Sequence, residues 1–136
     1  MKKAFTFLLL ALAFAQCASE FTAANLRGTW VIENMEVNIP DMSPALIEGG
    51  QKEAYSSRYE FTEDGKVTLK SNSLAAGVEG TYTLNLDSNY LKMSMGVGTD
   101  NEVQESYTLS DISANQMTWT FDMKDRGNIV FKVIKK

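Results

Sequence analysis

From residue 28 to the end, turn signatures cut the chain into eight short runs, most of which alternate apolar and polar residues. The runs cover 30–37, 58–62, 66–70, 78–85, 90–95, 102–109, 116–122 and 129–135. Arg58-Tyr59-Glu60-Phe61-Thr62 and Lys66-Val67-Thr68-Leu69-Lys70 show the pattern cleanly. A period of two places one apolar face on a strand, which neither a helix nor a buried parallel strand would show. Between these two runs lies Glu63-Asp64-Gly65, where Asp-Gly supplies the positive φ of a tight hairpin. Eight strands at hairpin spacing predict an all-β, antiparallel up-and-down meander. Such a meander gains by closing, since a closed or nearly closed barrel removes its free edges and encloses one apolar interior. A barrel of eight strands has room for packed side chains or for one small ligand.

Between the first two runs, Pro40 and Pro44 interrupt the strand pattern. One or two helical turns are predicted over 45–55, with Gly49-Gly50 expected to break or cap them. Alternation places Trp30, Ile32, Tyr59, Phe61, Val67 and Leu69 inward, followed by Tyr82, Leu84, Leu91, Met93, Tyr107 and Leu109. Met117, Trp119, Phe121 and Phe131 complete the predicted interior.

The first 16 residues are set apart from this pattern. Lys2 and Lys3 precede a charge-free stretch, 4–15, that ends in small residues, which is the layout of a secretory signal. That stretch is too short to span a bilayer, which needs roughly 20 apolar residues. Cleavage after Ala13-Phe14-Ala15 would leave Gln16 at the new N-terminus. Alternatively, Phe14 to Cys17 resembles a bacterial lipobox, with Gln16 where Gly, Ala or Ser usually stands and Phe14 where Leu usually stands. Lipidation at Cys17 is the favoured reading, because the chain's single cysteine directly follows the apolar stretch. The expected organisation is a signal peptide at 1–16, a lipidated tether at 17–25 and a barrel domain at 26–136. The expected location is the cell envelope, as an outer-membrane lipoprotein facing the periplasm or the cell surface. The alternative is a soluble periplasmic or secreted protein.

Charge and composition remove several function classes. All 17 acidic residues follow Cys17, against 11 of the 13 basic ones, so the mature balance is −6. Nucleic acid is therefore not an expected partner, since its phosphates call for clustered Lys and Arg. Histidine is absent and the one cysteine sits at the leader boundary, so Ser-His-Asp and Cys-His catalysis are ruled out. No Gly-x-Ser-x-Gly elbow occurs, and Gly96-Val97-Gly98 lacks the third glycine of a nucleotide loop. The expectation is a non-enzyme with no cofactor and no metal. Asp100, Asn101 and Glu102 are rich in oxygen, but their spacing does not match an EF-hand, and a solvated hairpin is the reading. Met93, Met95 and Met117 fall on an apolar face and read as adaptable core filler.

Leu26-Arg27-Gly28-Thr29-Trp30 resembles the Gly-x-Trp opening of lipocalin-like barrels. Gly80-Thr81-Tyr82-Thr83-Leu84 is similar to a mid-domain strand of the small bacterial members, and Tyr107 to Ser110 with Met117 to Trp119 is similar to their late strands. The resemblance covers nearly all of 26–136 and implies a barrel that binds a small apolar or amphipathic molecule. Gly28 would let the chain pass close under the barrel, and Trp30 would plug one end. Val31 departs from the aromatic that usually follows the tryptophan. The late arginine that packs on the tryptophan has no clear counterpart, with Lys132 in the last strand and Arg126 in the preceding turn as the nearest residues.

The candidate ligand contacts are Tyr82, Glu105, Tyr107 and Trp119. Glu105 shares the parity of Val103 and Tyr107, and an inward carboxylate needs a partner or a ligand. At an open barrel mouth, Glu105 would orient the polar end of a ligand together with Tyr107 and Tyr82. The simpler alternative is a rim residue in water. The rival function is a structural or protein-interaction module with a filled core and no small-molecule ligand. No particular protein partner is indicated.

Overall fold

The computed structural model describes residues 21–136; the leader and Cys17 lie outside the described residues. After a helical turn, α1 (Ala23–Leu26), come β1 (Gly28–Asn38), the helix α2 (Pro44–Ser56), β2 (Arg58–Phe61) and β3 (Lys66–Lys70). They are followed by β4 (Val78–Asn85), β5 (Tyr90–Met95), β6 (Val103–Ser110), β7 (Gln116–Asp122) and β8 (Asn128–Lys135). Each strand pairs antiparallel with the next and β8 returns to β1, so the eight strands form a closed barrel. The Asp64-Gly65 turn behaves as its chemistry requires, with Gly65 at φ 81°. Among the described residues, no helix is long and apolar enough to cross a membrane.

The period-2 faces become the two sides of the barrel wall. Every residue placed inward by alternation either belongs to the buried core or packs against it. Met95, expected as core filler, is buried with them, and the core gains Leu26, Ala54 and Val133 in addition. Trp30, Leu91, Met93, Met117 and Val133 are fully buried and Trp119 is 1% exposed, so side chains fill the middle of the barrel. Tyr59, Phe61, Tyr107 and Trp119 form one aromatic cluster, with Trp119 at 5.2 Å from Tyr59 and 5.3 Å from Tyr107 between ring centroids. Pairs of this kind add about 0.5–1.5 kcal/mol beyond the area they bury.

The helix departs from expectation. It runs unbroken for 13 residues through Gly49 and Gly50, where a break or cap was predicted. Its start is well specified, since Ser43 Oγ accepts the Leu46 N–H at 3.3 Å and Pro44 occupies the first turn. The rest is held by docking. β2 pairs with β1 only up to Val31, so the far half of β1 has one unpaired edge. There the Met35 N–H donates to Tyr55 Oη at 3.3 Å, and Gln51 Nε2 donates to the Met35 carbonyl at 3.1 Å. Gly50 sits close to Met35, where an added Cβ would lie 3.7 Å from Met35 Cε. The helix thus covers a strand edge that would otherwise leave backbone groups without partners. This docking outweighs a glycine cost of roughly 1 kcal/mol per residue.

Candidate functional site

The two ends of the barrel are built differently. At one end, Trp30 Nε1 donates to the Leu26 carbonyl at 2.8 Å, and Lys135 Nζ donates to the Asn25 carbonyl at 2.8 Å. The Lys135 ammonium lies 6.0 Å from the centre of the Trp30 ring, within cation–π reach. The basic residue on the tryptophan is therefore Lys135, and neither Lys132 nor Arg126 takes that place. Lys132 forms an ion pair with Glu33 at 3.2 Å instead. The register explains this: Trp30 pairs with Lys135 and Asn34 with Lys132, with a bulge between Ile32 and Asn34. Gly28, at φ 125°, lies where a Cβ would come within 2.8 Å of Lys135 Cε, so a side chain there meets both a strained backbone and a filled space.

At the other end, β6 enters the barrel from a wet rim. Val103 is 52% exposed, Glu105 is half-buried, and Tyr107 and Leu109 are buried. Tyr107 Oη donates to Glu105 Oε2 at 2.8 Å. Burial pushes the Tyr107 phenol well above its ordinary range, and the neighbouring Tyr59 and the Glu105 carboxylate add to it. Tyr59 is raised for similar reasons, first by burial and then by the Glu105 charge. Both phenols therefore remain proton donors at neutral pH.

Above this pair lies an open cleft of about 700 Å³ between the β3–β4 and β5–β6 connections. Its walls include Leu69, Leu74, Val78, Met95 and Val103, with Glu105 among the strand residues that face it. Leu74, Val97 and Val103 are exposed apolar side chains around this opening. One wall is held from below by the helix. Glu53 accepts hydrogen bonds from the Ser71 and Ser73 hydroxyls, and from the Ser73 N–H at 3.2 Å. These bonds hold the Glu53 carboxyl below the usual carboxylate range, the Ser71 bond contributing most. The loop that carries Leu74 is thereby fastened to α2.

The four candidate contacts do not converge. Glu105 lines the cleft and Tyr107 bonds to it from beneath. Trp119 packs against Tyr107, and its Nε1, buried, has no hydrogen-bond partner among the described residues. Tyr82 Oη donates to the Thr62 carbonyl in the β2–β3 hairpin, so its hydroxyl is committed away from Glu105. Leu74, Val78, Met95, Val97 and Val103 escaped the sequence reading as cleft residues. The available signal was faint: Leu74 and Val97 are apolar residues inside polar, glycine-rich connections. Asp100 and Glu102 remain on the exposed β5–β6 turn, and the three methionines read as core filler are buried.

No family model matches the chain, and no curated protein matches it. Among solved structures, the chain is similar to an uncharacterized protein from Bacteroides eggerthii DSM 20697, determined by crystallography at 2.60 Å resolution. The TM-score is 0.52 at 12% sequence identity, with 82% of this chain and 99% of that chain covered. At that identity, the likeness shows a shared fold.

Proposed function

We propose that this chain is an exported, lipocalin-like binding module, anchored to the cell envelope through lipid on Cys17, that takes a small amphipathic molecule at the barrel mouth. One observation carries the binding reading. The cleft of about 700 Å³ combines apolar walls with a single inward carboxylate that is already oriented by Tyr107. Small-molecule sites are typically about 300–1,000 Å³, mostly apolar, with a few placed polar groups. The barrel centre is filled, so the ligand sits above the aromatic cluster and does not enter it. The leader-like segment 1–16 followed by Cys17 supports export and anchoring. Several acyl chains on one cysteine would give stable attachment, where a single chain binds only marginally.

The filled interior also favours a second reading, a protein-interaction module whose exposed Leu74, Val97 and Val103 meet a partner. Native mass spectrometry of the protein purified from its own membrane separates the two. The binding reading expects a retained molecule of a few hundred daltons and an acylated N-terminal cysteine. A mass that matches the bare polypeptide, in a sample that also co-purifies a stoichiometric protein, would favour the second reading. A mature N-terminus at Gln16 without lipid would remove the anchor.

A further inference from the structure

The charge at the mouth narrows the ligand class. We infer that the occupant of the cleft is an amphipathic cation, an aliphatic chain carrying an amine or quaternary ammonium head. This inference rests on the proposed binding function and adds the sign of the head group. Among the described residues, Glu105 and Glu79 line the cleft, and no lysine or arginine does. The ion pairs among the described residues lie elsewhere: Arg27 with Glu63, Lys66 with Asp64, and Lys132 with Glu33. Among the described residues, the one side-chain hydrogen bond to Glu105 comes from Tyr107, which is a neutral donor.

Three head groups can be compared on this geometry. An apolar chain lying along Leu69, Val78, Met95 and Val103 would strip water from Glu105. A carboxylate head would then bring a like charge beside Glu105, with no lysine or arginine among the described lining residues to offset it, which is strongly unfavourable. A neutral hydroxyl head would replace one lost hydrogen bond. An ammonium head would replace the lost hydration and also neutralise the charge, so the desolvation that excludes the anion favours the cation. The net −6 of the chain after residue 16 acts in the same direction at longer range, by raising the local concentration of cations.

Calorimetric titration of the mature protein with dodecylamine, dodecanol and dodecanoate, each below its micelle concentration or solubility limit, tests this at constant chain length. The amine is expected to bind about tenfold or more tighter than the alcohol, with the carboxylate weakest. Glu105→Gln keeps an acceptor for Tyr107 and removes the charge. It is expected to bring amine and alcohol within about twofold of each other. In the unsubstituted protein, the amine preference should also shrink as salt is raised, a readout that does not depend on how the variant folds. Alcohol or carboxylate binding as tightly as the amine would overturn the cation inference and leave the binding function standing. Failure of all three to bind would remove both. An amine preference that survives Glu105→Gln would overturn the role given to Glu105.

Discussion

The two ends of this barrel use similar side chains to opposite effect. At the Trp30 end, an indole N–H and an ammonium each find a backbone carbonyl, and the helical turn 23–26 supplies both acceptors. At the Glu105 end, a carboxylate faces an apolar cleft with one neutral donor behind it, and in the filled core beneath, the indole of Trp119 has no hydrogen-bond partner among the described residues. A sealed end satisfies its polar groups from within the chain. An end that leaves them incompletely satisfied is suited to a ligand, because the missing partners can be supplied from outside.

Removing the plug should have the largest effect. Trp30→Ala is expected to cost about 3–5 kcal/mol in urea denaturation, as for other large-to-small changes at fully buried positions. A loss no greater than that of an exposed substitution would show that the end is not sealed by this ring. A finer comparison sets the two tryptophans against each other. Trp30→Phe leaves the Leu26 carbonyl without its donor, whereas Trp119→Phe removes a buried donor that has no partner to lose. The first is expected to be the more destabilising by about 1–3 kcal/mol. Equal costs would mean that the Trp119 N–H is satisfied in solution by a buried water.

At the other end, Glu105→Leu should reverse the usual relation between stability and function. It removes a half-buried carboxylate, so stability should stay within about 1 kcal/mol of the parent or rise. Binding of the retained molecule should be lost. A variant that gains stability and still binds would return Glu105 to the status of a rim residue.

The smallest effect expected is local and depends on pH. The folded-state value of Glu53 lies below its ordinary 4.5. Its contribution is therefore complete above that pH and is lost as pH falls through the depressed folded value. Protection of the Ser73 and Leu74 amides, taken relative to their intrinsic exchange rates, should fall on acidification through this window, and Glu53→Gln should abolish that pH dependence. Unchanged protection would release the cleft wall from α2.

Much of the fold was readable because strand alternation is a local property. Tyr59 and Phe61, or Met117 and Trp119, lie on the inner face because they sit two residues apart on a pleated strand. The misplaced details were those that depend on remote neighbours. Gly49 and Gly50 read as a break when α2 is taken alone, yet the helix continues because Tyr55 and Gln51 bond the free edge of β1. Neither Lys132 nor Arg126 could be placed against Trp30 from the sequence, because that partner is set by cross-strand register, which pairs Trp30 with Lys135. Tyr82 has the expected parity, while its hydroxyl turns to Thr62 across the β2–β3 hairpin.

For this protein, local pattern alone dictates eight strands, hairpin-linked from the second onward, and the face of each that turns inward, since both follow from a period of two and from turn chemistry. Closure decides the rest. Leu74 and Val97 line the same cleft as Glu105 only when two connections are brought to the same rim. Whether Glu105 finds a cation there depends on every neighbour the closed barrel sets around it, and that proximity is a long-range property that no single run of residues encodes.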